Sequence, residues 1–175
     1  MRQARSGGVA FSVDPERVGV LGFSAGGHLA AAVCNAPDAG TRPDFAVLGY
    51  PVISFGRNAH HGSVQNLLGP DSDPAGRRRQ SMEAQVTSKT PPTFLWHTAD
   101  DPSVHVSHSL RYADALAKSQ VPFELHVFPH GRRHGLGLAF GEPGAGQWTR
   151  LCQGWLAAGG WISSDGASAA NGSPR

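Results

Sequence analysis

The chain has little material from which to build a core. Leu, Ile, Val and Phe number 36 of 175 residues, with only two isoleucines; that share barely clears the composition at which disorder sets in. Charge is also scarce, at 16% against roughly 25% in an average soluble protein, which excludes a coiled coil and charge-driven disorder. No apolar run approaches the roughly 18 residues of a membrane span, so no membrane partner is expected. Met1–Val9 lacks the apolar stretch of a signal peptide, leaving the cytoplasm as the default compartment. A basic stripe is missing too. Net charge is +2, and only Arg77-Arg78-Arg79 forms a run; with no matching motif, nucleic acid is excluded as a partner and the triplet reads as a solvated face. The two cysteines, Cys34 and Cys152, lie far apart without metal spacing and read as buried or idle thiols. The nine histidines contain no H-E-x-x-H and no Cys–His framework, so neither a metal nor another cofactor is expected. His28, His97 and His126 read as packed side chains, His105 and His108 as an i, i+3 pair, and His60-His61 as a loop pair.

What is plentiful is punctuation: 23 glycines and 13 prolines, hence many turns. Between them, four apolar runs read as buried strands: Arg17–Phe23, Phe45–Val52, Thr93–Thr98 and Phe123–Phe128. Helical patterns alternate with them. His28–Asn35 is Ala-rich, Ser107–Ser119 puts Leu110, Ala113, Leu116 and Ala117 on one face, and Trp148, Leu151, Cys152, Trp155 and Leu156 follow an amphipathic spacing. Strands alternating with helices give an α/β protein with a mainly parallel sheet of about four strands. Residues 1–162 read as a single domain. Gly56–Pro92, with one helix around Ala75–Gln85, reads as a long binding loop or lid, and Ser163–Arg175 as a disordered tail.

Gly22-Phe23-Ser24-Ala25-Gly26 is G-x-S-x-G between an expected strand and an expected helix. In such a nucleophile elbow the serine occupies a strained turn, and the flanking glycines let strand and helix approach. The turn lifts the Ser24 hydroxyl above the sheet and leaves the Ala25 N–H at a helix start, able to donate to an oxyanion. A serine hydroxyl needs a base, and the base an orienting carboxylate; the elbow architecture places them in the order Ser, acid, His. Asp100 and Asp101 end the third strand. Aligning His97 and Val104 with the pattern H-G-x-x-D-x-x-V-P favours Asp101 and leaves Asp100 to hold the turn. After the fourth strand His130 directly follows Pro129, whereas His134 precedes Gly135-Leu136-Gly137; a glycine-flanked loop favours His134.

The run from Asp14 to Ala30 (D-P-E-R-V-G-V-L-G-F-S-A-G-G-H-L-A) resembles the α/β-hydrolase esterases, specifically the acetyl esterase and acetylxylan/feruloyl esterase branch. Gly49-Tyr50-Pro51-Val52-Ile53-Ser54, Asn66-Leu67-Leu68-Gly69, Thr90-Pro91-Pro92-Thr93-Phe94 and Val121-Pro122-Phe123-Glu124-Leu125 resemble it as well. The resemblance spans about residues 10–160. It implies an α/β-hydrolase fold and cleavage of a carboxylic ester, short-acyl and carried by a small molecule or a carbohydrate such as acetylxylan. By the same resemblance Ser24 is the nucleophile, His134 the base and Asp101 its acid. The chain departs from the family at Val104-His105, where relatives have V-P, and at Arg132-Arg133-His134, where they have G-G-H or G-P-H. Those arginines either lower the proton affinity of the base or bind an anionic group.

Only about 17 residues precede the elbow strand, where the family has several strands and a glycine-rich loop carrying a second oxyanion donor. The chain therefore resembles the C-terminal part of a larger hydrolase, with Met1–Val13 as a helix remnant. One oxyanion donor is then expected to be absent, a loss of about 10²–10³ in rate, and the strand ending at Phe23 is expected to be an open edge inviting a homodimer. Two other readings stand beside the esterase: a serine peptidase of the prolyl oligopeptidase type, which shares the elbow and residue order, and an inactive remnant or self-associating fragment.

Overall fold

The computed structural model describes residues 1–5 and 14–163; the tail expected over Ser163–Arg175, past Ser163 itself, and most of the expected Met1–Val13 helix lie outside them, apart from a short helix α1 (Arg2–Arg5). Four strands, β1 (Gly19–Phe23), β2 (Phe45–Gly49), β3 (Thr93–Thr98) and β4 (Phe123–Phe128), pair in chain order, every pair parallel. Parallel neighbours require crossover connections. Helix α2 (Ala25–Cys34) follows β1, α3 (His61–Leu68) and α4 (Pro74–Arg79) follow β2, α5 (Ser107–Lys118) follows β3, and α6 (Trp148–Ala158) follows β4.

Alternation along the strands divides the core. Ala46, Leu48 and Leu95 face α2 and α5, packing with Ala30, Ala31, Cys34, Tyr112 and Leu116. Val47, Phe94 and Trp96 face α6, packing with Trp148 and Cys152. The shortage of aliphatic residues is thus met in two ways. On one face alanines let the α2 backbone approach the sheet closely; on the other, large rings fill the space, with Trp96 stacked on Trp148 at 5.2 Å. Both cysteines are free and buried. Burial pushes the Cys34 thiol up to about 12, and burial together with Glu124 pushes Cys152 up to about 11, so both stay protonated at neutral pH.

The structure departs from the sequence pattern in three places. Helix α2 begins at Ala25, three residues before the expected His28, because Gly26 and Gly27 disguise its first turn. The buried face of α5 is His108, Ser109, Tyr112, Ala113 and Leu116, whereas Leu110 and Ala117 are exposed; counting only aliphatic residues missed the polar and aromatic side chains that set the face. The segment 56–92 is not one long loop. It carries α3, capped by His60, whose ring nitrogen accepts from the Ser63 N–H, then α4, capped by Asp73 accepting from the Gly76 N–H, and a 3₁₀ turn at Met82–Ala84. No described helix is long and apolar enough to cross a membrane.

Candidate active site

β1 ends and α2 begins across a single residue, Ser24, at φ 53°, a region that strains a non-glycine residue by about 1–3 kcal/mol. The turn is held by its own backbone: Ser24 N–H donates to the Gly49 carbonyl at 3.1 Å, and its carbonyl accepts from Gly27 N–H and Val52 N–H at 3.0 and 2.9 Å. The glycines behave differently from the pattern reading. A Cβ on Gly22 would meet the Gly26 carbonyl oxygen at 2.3 Å, and one on Gly27 would meet Pro51 at 2.6 Å, while the space beside Gly26 is open. Close approach is therefore required at Gly22 and Gly27, and the second glycine of G-x-S-x-G contributes only its backbone.

The three residues singled out in the sequence meet here. His134 Nε2 lies 2.7 Å from Ser24 Oγ, and His134 Nδ1 lies 2.8 Å from Asp101 Oδ2. Each comes from the C-terminal end of a different strand: Ser24 after β1, Asp101 after β3 and His134 after β4, the end at which open α/β sheets bind ligands. Ala25 is exposed and is the first residue of α2, a position whose N–H has no intrahelical partner and sits at the positive end of the helix.

The two ambiguous pairs separate by geometry. Asp100 accepts from Gly131 N–H at 2.7 Å and Arg132 N–H at 3.3 Å, and lies 3.5 Å from the exposed His130. Partial burial pushes its carboxyl up, but these donors outweigh that and hold it below the usual carboxylate range. Asp100 and His130 thus lie together at the base of the loop that carries His134, away from Ser24. Arg132 and Arg133 are exposed, with Arg132 at φ 60°.

Two supports were not legible as site residues. Tyr50, at φ 35°, accepts from Gly137 N–H at 2.8 Å and sets its ring edge-on to His134 at 5.0 Å, gripping the His134 loop from β2. Burial, with a smaller push from Asp101, raises its phenol above the ordinary value. Beneath Asp101 lies His97, fully buried. Its Nε2–H donates to the Val104 carbonyl and its Nδ1 accepts from the Ser109 hydroxyl, both at 2.8 Å. Val104 N–H and Ser103 N–H in turn donate to Asp101 Oδ1 at 2.9 Å each. Burial lowers the His97 imidazole to about 4, keeping it neutral at pH 7, and the Val104 carbonyl, which can only accept, fixes its proton on Nε2. The H-x-x-x-D-x-x-V spacing was the available signal for His97.

Beside the elbow, a cleft of about 380 Å³ is lined by Ala25, His28, Leu29, Phe55, Ser63 and Leu67. The exposed side chains of Leu29 and Leu67 make it apolar. Among the described residues no group of three or more His, Cys, Asp or Glu side chains is placed to hold a metal ion.

A parallel sheet flanked by helices, with an elbow serine at the end of a strand, defines the α/β-hydrolase fold. The family model of the prolyl oligopeptidase family matches residues 8–158, and the chain belongs to that family. A crystal structure described as an acetyl ester-xyloside bifunctional hydrolase, from Caldicellulosiruptor lactoaceticus, superposes with a TM-score of 0.87 at 49% identity, covering 93% of this chain and 64% of that one. A carboxylesterase from Lactobacillus plantarum gives a TM-score of 0.71 at 29% identity, covering 93% and 66%. An acetylxylan esterase of Xylanibacter ruminicola is 34% identical over 142 residues, which are 78% of this chain and 29% of that protein. An endo-1,4-beta-xylanase B of Butyrivibrio fibrisolvens is 37% identical over 153 residues, 81% of this chain and 24% of that protein. The chain thus spans about a quarter of the curated relatives it matches.

Proposed function

We propose that the protein is a serine hydrolase of carboxylic esters, acting on short-acyl groups carried by a small molecule or an acetylated carbohydrate. The observation that carries this reading is the continuous hydrogen-bond chain from Asp101 through His134 to Ser24. Its chemistry follows from the geometry. Ser24 Oγ attacks the acyl carbon as His134 Nε2 takes its proton, and Asp101, accepting from Nδ1–H, stabilises the imidazolium. The oxyanion is stabilised by Ala25 N–H and the positive end of α2. His134 then hands the proton to the leaving alkoxide, and water repeats the sequence to release the acid. The apolar cleft beside Ala25 suits the uncharged part of an ester. The esterase relatives support the substrate class.

The family match favours the peptidase reading as the second choice, since that family takes its description from prolyl oligopeptidase. One experiment decides: hydrolysis of p-nitrophenyl acetate and of a prolyl p-nitroanilide by the purified chain and by Ser24→Ala, with a fluorophosphonate and mass spectrometry. Ester turnover lost in the variant, with one adduct on Ser24, supports the esterase. Faster amide turnover supports the peptidase, and neither turnover nor adduct from folded protein leaves the inactive remnant. Association of two copies along the outer edge of β1 is a further proposal, supported by its position at one end of the sheet and by the exposed Leu21.

A further inference from the structure

The run Gly49-Tyr50-Pro51-Val52 touches both the nucleophile and the base. Gly49 ends β2, and its carbonyl accepts from Ser24 N–H at 3.1 Å; Val52 N–H donates to the Ser24 carbonyl at 2.9 Å. The residues between them are pinned elsewhere. Tyr50 N–H donates to the Trp96 carbonyl at 2.7 Å, and Pro51 packs so closely on the first turn of α2 that a Cβ on Gly27 would meet it at 2.6 Å. Tyr50 spans this stretch at φ 35°, a conformation that a residue with a Cβ keeps only where its surroundings over-determine it. In that conformation its ring stacks on Phe23 of the elbow at 5.5 Å and stands edge-on to Trp96 and to His134, at 5.0 Å each. Its hydroxyl accepts from Gly137 N–H at 2.8 Å.

The other polar group of Gly137 is held as well. Trp148, the first residue of α6, donates its indole N–H to the Gly137 carbonyl at 3.2 Å, while its ring stacks on Trp96 at 5.2 Å and stands edge-on to Phe23 at 5.9 Å. Gly137, at φ 57° and three residues past His134, is thus clasped by two aromatic side chains, both buried, where a polar contact is costly to leave unmade. The near end of the same loop is fixed by Asp100, which accepts from the Gly131 and Arg132 N–H groups. From this closure we infer that Tyr50 and Trp148 are positioning residues for ester hydrolysis, a clasp on Gly137 that sets the distance from His134 Nε2 to Ser24 Oγ. Both act through the loop that carries the base. Because the elbow backbone is bonded to Gly49 and Val52, and Gly137 to Tyr50 between them, nucleophile and base are spaced by one short segment. The inference rests on the hydrolase reading of Ser24, Asp101 and His134.

Tyr50→Phe and Trp148→Phe each remove one polar contact to Gly137 and keep a ring in place. Each is expected to lower kcat for p-nitrophenyl acetate about tenfold with little change in KM, since a small misplacement of a catalytic group is felt in the rate, and to slow fluorophosphonate labelling of Ser24 by a similar factor. A spectroscopic signature accompanies the loss: the low-field proton resonance of His134 Nδ1–H on Asp101, identified by its disappearance in Asp101→Asn, is expected to broaden or move upfield in both variants. As the two side chains hold one residue, the double variant is expected to lose about as much as either alone; a loss of about a hundredfold, the product of two independent effects, overturns the shared clasp. Phe94→Leu disturbs the same aromatic cluster and is the control, expected to lower the urea midpoint while leaving kcat and the resonance unchanged. The inference is overturned if both variants keep kcat and the resonance, or if Phe94→Leu lowers kcat as far as they do. Should Trp148→Phe not fold, Tyr50→Phe decides by the same measures. Neither turnover nor labelling in the unsubstituted chain overturns the hydrolase reading by itself, and the resonance then decides the clasp: its change in the variants supports it, its persistence overturns it.

Discussion

Asp100 and Asp101 are adjacent in sequence yet grip different things, and substituting them one at a time separates chemistry from scaffolding. Asp101→Asn keeps the shape but loses the charge facing His134, and is expected to lower kcat by about 10³–10⁴ with little change in KM. Asp100→Asn loosens the Gly131–Arg132 turn instead, with an expected loss of stability and a smaller fall in rate; stopped-time kinetics beside urea melts distinguish the two. His97 makes a pH prediction. Its folded pKa of about 4 lies below the ordinary value of about 6.5. The unfolded chain therefore binds the extra proton between those values, and stability falls as pH drops from about 6.5 towards 4. The buried imidazole contributes about 3 kcal/mol to that loss, and burial lowers His108 as well, in the same direction. Urea unfolding at pH 7 and pH 5 reads it, and His97→Gln is expected to flatten the slope.

The strand-to-helix junction is where local geometry is least forgiving. Gly22→Ala drives a methyl into the Gly26 carbonyl at the elbow, with an expected loss of about 1–3 kcal/mol, whereas Gly26→Ala enters open space; comparison of their urea midpoints tests the difference. At the sheet margin, Leu21→Lys places a charge on the outer strand, and sedimentation velocity is expected to show less self-association than in the unsubstituted chain. Strands β3 and β4 were legible to the residue, because each is an apolar run closed by turn chemistry. Helix α3 was not. Gly62, Ser63, Gln65 and Asn66 give it little apolar periodicity, and its signals were the ends: the His60 cap with Ser63, and Gly69 at φ 82° closing it.

At the scale of the molecule, the fold was readable because the order of strands and helices admits few parallel topologies, and the elbow fixes which strand end matters. Ser24, Asp101 and His134 stood out because each follows a strand in the required order. Asp100 against Asp101 turns on which carboxylate faces inward, a matter of backbone direction that adjacent identical residues conceal. Tyr50 was hidden for another reason. Its partner comes from a segment distant in sequence: Tyr50 meets Gly137 across 87 positions.

The hydrogen bond between Ser24 and His134 spans 110 positions, and this separation governs when the site comes into being. Closing so wide a loop costs about 1 kcal/mol more in chain entropy than pairing neighbouring strands does. During synthesis Ser24 waits without this histidine while β2, β3 and β4 are made. His134 lies beyond β4, so a nascent chain holds every described strand before Ser24 and Asp101 meet their histidine.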